Sequence, residues 1–183
     1  MTIRNRVLLA CLWGSVIAWT TWVGGTLYQM LVIVPLWSAS PPETVRAFFQ
    51  ATDYNRTIFN FFGPPFIVAR NVPVIAALLA GWHLPRHRHA LLIAVLCFTV
   101  FAPVYSLVSI YPINAVLFEQ AGGTHTPEEI RAMARDWIFR DRLRFGIGLI
   151  GFSAILWAFR LPIPGEMTEQ HRQPSTKLDQ PQP

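Results

Sequence analysis

A handful of polar residues stand out in a strongly apolar chain because their spacing lets them meet. Trp137, Asp141 and Arg144 are separated by four and three residues, so a helix puts them on one face, and Gly148, Gly151 and Ile155 continue the stripe. Asn114 follows Pro112 in "SIYPINAVLFE" (109–119), where the proline frees a backbone carbonyl and the asparagine offers donors and an acceptor. Such an asparagine can cap an interrupted helix end or hold a ligand. Arg70 and Asn71 interrupt the apolar run from Pro64 to Leu84. A charged side chain at that depth costs at least about 2.5 kcal/mol unless paired or near an interface, and Asp141 is the nearest acid across the bundle. Two roles fit these residue types. One is a salt-bridge and hydrogen-bond lock between helices; the other is a polar pocket for a ligand or a reaction.

The elements that must position them are membrane helices. Hydrophobic residues make up 52% of the 183, charged residues 14%, and mean hydropathy is +0.36. A soluble surface needs about a quarter of its residues charged. The run Val7–Trp37 has no charged residue and exceeds the roughly 20 needed to span the hydrocarbon core. It is too long for a signal-peptide core and lacks a clear small-residue cleavage site, so it reads as a retained first span (7–37). Further spans are predicted at 64–84, 89–111 and 143–161. The predicted fold is therefore all-α: an integral membrane four-helix bundle over 1–161, with an amphipathic interfacial helix between the first two spans. That short helix starts at Ser40-Pro41-Pro42-Glu43 and carries Val45, Phe48, Phe49, Thr52, Arg56 and Phe59 at helical spacing.

The stretch "THTPEEIRAMARDW" sets the start of the last helix near 127. Thr126 is the N-cap, Pro127 the first helical residue, and Glu129 completes a capping box. Unbroken to Leu161, this helix would be about 52 Å long and begin outside the membrane. Residues 162–183 are rich in proline, glutamine and charge, and are predicted to be a disordered cytoplasmic tail.

Orientation follows from the arginines. With the N-terminus inside, seven basic and three acidic residues fall on the cytoplasmic side, against eight basic and seven acidic elsewhere. The tight turn "LPRHRH" (84–89) contains no acid. Both termini are expected in the cytoplasm, in a plasma membrane of bacterial type. Arg70, Asn71, Asn114, Asp141 and Arg144 then share one level on the outer side, with Tyr28 from the first span and Tyr111 from the third. Tyr28, Arg70, Asn71, Tyr111 and Trp137 are the candidate substrate-binding residues of such a pocket. Arg140 and Arg142 are expected to point toward lipid headgroups.

Other chemistry finds little support. Cys11 and Cys97 lie inside predicted spans without a partner at metal-ligand spacing, and read as small buried hydrophobes. His83, His87 and His89 crowd a turn broken by Pro85, which suits a topology-setting basic turn better than a metal site. No two histidines share a depth within the spans, as a haem site would need. Nor is there a GxSxG, HExxH, Walker or dinucleotide-binding pattern. No metal and no cofactor are expected. The pI of about 9.9 does not imply nucleic acid, because the arginines flank spans and form no single stripe.

Four stretches taken together resemble the DUF1772 family, which includes small membrane proteins described as anthrone oxygenases. They are "YQMLVIVPLW" closing the first span, "FFQATDYNRTIFNFFGPPF" in the first connection, "YPINAVLFE" after the third span, and Trp137, Asp141 and Arg144 as W-x3-D-x2-R. The resemblance runs in order from about Gly24 to Phe159. It implies a four-helix membrane fold and, for some members, cofactor-free oxidation of polycyclic anthrones to quinones by O2. On that chemistry the catalytic residues would be Asp141 as base, with Asn114 and Arg144 holding the oxyanion. One departure falls at "RDRLR" (140–144), where members often read W-N-H-x-R: Asp141 replaces the asparagine and Arg142 the histidine. Fold therefore carries over better than activity.

Two functions of different kinds remain open. One is an enzyme acting on a hydrophobic aromatic, anthrone- or quinone-like molecule that enters from the lipid. The other is a non-enzymatic accessory subunit of a larger membrane complex. Expected partners are membrane lipids and either that small molecule or the complex subunits, with no nucleic acid. A transporter fits less well, since internal repeats and a broken-helix pair at mid-membrane are absent.

Overall fold

The computed structural model describes residues 2–52, 56, 61–120 and 123–163. Among these there is no strand, and five helices carry the fold: α1 (Ile3–Ser38), α2 (Glu43–Ala51), α3 (Pro64–Gly81), α4 (Pro85–Glu119) and α5 (Pro127–Arg160). All but α2 are long and apolar enough to cross a bilayer. Their outward faces expose large apolar residues such as Leu31, Val68, Leu79, Val108 and Ile150. The protein is an all-α, multi-pass membrane bundle. α1 lies beside α3 and α5, and α4 beside the same two, so the four close into a square. The predicted tail from 164 onward, and Phe59 of the predicted amphipathic stripe, lie outside the described residues.

Local chemistry sets the helix ends. Thr126 accepts from the Glu129 backbone N–H, and the Glu129 carboxylate accepts from the Thr126 backbone N–H, as the capping box requires. Arg4 donates to the carbonyls of Ala80 and Leu79 at 2.8 and 3.3 Å, placing a cation on the last turn of α3, where the helix dipole favours it. Arg131 of α5 donates to the Pro41 carbonyl at 3.0 Å and so ties α5 to the start of α2.

α1 and α4 contain wide turns whose cause is visible in the sequence. In three places the residue just before a proline donates its N–H to the carbonyl five positions back: Val34 to Gln29, Ala102 to Cys97 and Tyr111 to Ser106. A proline lacks the N–H and its ring strikes the carbonyl four residues earlier. The wide turn moves that carbonyl aside and lets the helix continue. For this reason α4 does not stop near Tyr111, where the predicted span ends, but runs on through a fourth wide turn, Ala115–Glu119.

The core comes in two parts. One buries Leu8, Leu12, Trp19, Trp22, Val74 and Phe98 toward the α3–α4 turn. The other buries Trp37, Val45, Phe49, Ile110, Leu117 and Trp137 beneath α2. Along α5 the predicted stripe is the inward face: Trp137, Asp141, Gly148, Gly151 and Ile155 are buried and Arg144 is half-buried. The Trp22 ring lies against Gly148 and the Phe98 ring against Gly151, so a Cβ at either glycine would overlap an aromatic ring.

Candidate functional site

A polar layer separates the two apolar clusters. On α1 the first cluster ends at Val23 and the second begins at Ile33; on α4 the gap falls between Phe98 and Tyr105, and on α5 between Ile138 and Phe145. In or beside these gaps lie Thr26, Gln29, Ser106 and Asp141, all buried. The wide turns of Gln29–Ile33 and Ser106–Ile110 open at this level.

Asp141 is the centre of the layer, at 1% exposure. Arg144, one turn further along α5, donates to its Oδ1, while Oδ2 is buried and has no hydrogen-bond partner among the described residues. A buried polar atom left in this condition is costly, and native structures keep few of them. One turn earlier, Trp137 Nε1 donates to Asn114 Oδ1 at 2.5 Å and joins α5 to α4. Asn114 therefore caps no helix end. Its amide nitrogen makes no hydrogen bond among the described residues. Arg140 departs from expectation: it donates to Asp136 at 2.8 Å and to the Ser109 carbonyl at 3.2 Å, making a second tie between α4 and α5.

Arg70 does not pair with Asp141. Arg144 sits three residues along the same helix and is the nearer, preorganised partner for that carboxylate. The Arg70 guanidinium lies instead over the rings of Trp19 and Trp22, at 4.9 and 5.6 Å, and its Nε is buried without a hydrogen-bond partner. Among the described residues, the fields of Arg144 and Tyr111 reach it. Trp19 Nε1 also donates to the Arg70 carbonyl at 3.1 Å, engaging the backbone just ahead of Pro73 within α3. Asn71, next in the chain, has a buried Oδ1 without a partner.

The structure thus gathers Trp137, Asp141, Arg144 and Asn114, with Arg70 and the half-exposed Tyr111 within electrostatic reach of Arg144 or of each other. Tyr28 does not join them. At 59% exposure it stands off the α1 face that bears buried Thr26 and Gln29. Sequence reasoning missed Trp19, Thr26 and Gln29. The signal was present, since Trp19, Trp22, Thr26 and Gln29 step by three, four and three, the rule that found the α5 face. Thr26 Oγ1 is another buried atom without a partner. Chemically, the carboxylate is held by a guanidinium through one oxygen, and the Asn114 amide is tied to the same face of α5 one turn earlier through Trp137; a guanidinium and an amide are groups that can hold an anion. Among the described residues, no three His, Cys, Asp or Glu side chains are grouped to hold a metal ion. Compared with known proteins, the chain matches no family model, no curated protein and no solved structure.

Proposed function

We propose that the protein is a membrane enzyme of the DUF1772 type that oxidises a hydrophobic anthrone- or quinone-like molecule with O2, without a cofactor, at the Asp141 centre. The observation that carries this reading is the buried Oδ2 of Asp141, which has no hydrogen-bond partner among the described residues. With Oδ1 held by Arg144, the second oxygen is left to accept a proton from a carbon acid. Proton loss from the methylene carbon of an anthrone gives an enolate with its charge on oxygen, where Arg144 and the Asn114 amide supply donors. The enolate passes electrons to O2 and a C–O bond forms at the same carbon. Loss of the second methylene hydrogen with cleavage of the O–O bond then releases the quinone and water. Each anthrone and O2 become a quinone and a water molecule. The motif resemblance supports the substrate class, and the position of the polar layer within a bilayer-spanning bundle supports entry from lipid.

Purified protein in nanodiscs is expected to consume O2 with 1,8-dihydroxyanthrone and to form the corresponding quinone, followed by electrode and by absorbance. Asp141→Asn should keep its thermal transition and lose about 100-fold or more in turnover, the scale of general base catalysis. Turnover that survives in that variant would remove Asp141 as the base.

A non-enzymatic subunit role draws on a different observation: the Trp137–Asn114 and Arg140–Ser109 bonds tie α4 to α5 directly. On that reading the protein co-purifies stoichiometrically with partners in mild detergent, and Asp141→Asn disturbs assembly alone. For orientation we infer, from the arginine distribution, that both termini face the cytoplasm of a bacterial-type plasma membrane, with Asp141 toward the outer side.

A further inference from the structure

We propose that the polar layer takes a ligand bearing a negative charge of its own, and that Arg70 is the residue that selects it. Charge balance is the first ground. Arg70 packs on Trp19 and Trp22 at the edge of the first apolar cluster, within electrostatic reach of Arg144, whose own charge is matched by Asp141. Of the neighbouring charges, Arg140 pairs with Asp136, Arg131 with Glu128, and Glu129 holds its helix cap, while Arg135, Arg142 and Glu119 are exposed on the surface. Among the described residues Arg70 has no ion pair, so its charge is uncompensated by any of them. An uncompensated cation inside a membrane helix is expensive and marks a binding or transport site by default.

Geometry is the second ground. Arg70 is half-buried: its Nε is enclosed without a hydrogen-bond partner among the described residues, and the terminal nitrogens keep accessible surface. It is held by Trp19 and Trp22, whose ring faces attract a cation but take none of its N–H donors. A planar cation fixed in this way, with its donors unspent, matches a carboxylate or phenolate, which accepts two parallel bonds from the guanidinium fork. A neutral quinone would leave the Arg70 charge uncompensated. This inference rests on Asp141, Arg144 and Arg70 serving one chamber, as in the proposed function, and adds that the substrate carries an acidic substituent away from the reacting carbon.

The test compares anthraquinone-2-carboxylate with uncharged anthraquinone on the full chain in phosphatidylcholine nanodiscs, following quenching of tryptophan emission and correcting for partition into empty discs. The acid should bind about ten-fold or more tightly than the neutral probe, the size of a charge-assisted hydrogen bond. Arg70→Gln should weaken the acid by about the same factor and leave the neutral probe within about two-fold. Equal binding of the two probes by the unaltered protein, or binding of neither, overturns the proposal. So does an Arg70→Gln protein that keeps its thermal transition and its preference for the acid. If that variant does not fold, Arg70→Lys takes its place; without the fork it should bind the acid several-fold more weakly than the unaltered protein, and a folded lysine variant that binds the acid as tightly overturns the proposal. Turnover is not required. Acid preference without O2 consumption leaves Arg70's role standing and removes the oxygenase reading, and the converse pattern does the opposite.

Discussion

At the scale of single residues, the hydrogen bond from Trp137 to Asn114 is the simplest point to probe. Trp137→Phe keeps an aromatic ring in the cluster with Trp37 and Phe118 but strips the donor from Asn114 Oδ1. Stability should fall by about 1–3 kcal/mol, the cost of an unsatisfied buried polar group. Combining it with Asn114→Leu should cost less than the two changes separately, with coupling of about 0.5–3 kcal/mol in a double-mutant cycle read by denaturation in detergent. Additive losses would mean that the bond contributes nothing. Asp141 and Arg144 were legible in the sequence because steps of four and three on one helix need no knowledge of the neighbours. Arg70's surroundings were not, because its partners are aromatic faces on another helix, and a search for opposite charge passes over them. Tyr28 was misplaced for a related reason: its hydroxyl drew attention, whereas its face of α1 decides where it points.

At the scale of elements, close approach to α5 depends on two glycines and not on a third. A Cβ at Gly148 would meet the Trp22 ring, while at Gly146 it would meet nothing within 4 Å. Gly148→Ala should therefore destabilise by about 1–3 kcal/mol through overpacking. Gly146→Ala should be neutral or stabilising by up to about 1 kcal/mol, through helix propensity alone. Thermal transitions of the two purified variants, compared side by side, check this contrast; a similar shift in both would mean that the Trp22 contact is slack. The start of α5 was readable from Thr126, Pro127 and Glu129, whose chemistry is local. The wide turns of α4 were not, since a proline in a long apolar run is equally compatible with a kink, a stop or an extra residue in the turn. Neighbouring helices settle which of these occurs.

At the scale of the whole molecule, composition alone was enough for the membrane bundle: with so few charged residues, the outward faces could only be apolar. Two separate apolar clusters with a polar layer between them could not be read the same way, because the layer is assembled from residues of four helices far apart in the chain. Orientation is open to a direct test on a chain with Cys11 and Cys97 replaced by alanine. A membrane-impermeant maleimide should label His125→Cys in intact cells, and Arg86→Cys only after permeabilisation; the reverse pattern would invert the topology. The turns that precede Pro35, Pro103 and Pro112, and the fourth at Ala115–Glu119, also bear on how chains of this architecture can change length. Each stores a surplus residue, so the loss of a single residue there is absorbed on the spot. The same loss in the regular stretch Pro85–Val95 would swing everything beyond it by about 100° and carry Asn114 away from Trp137 and Ser109 away from Arg140.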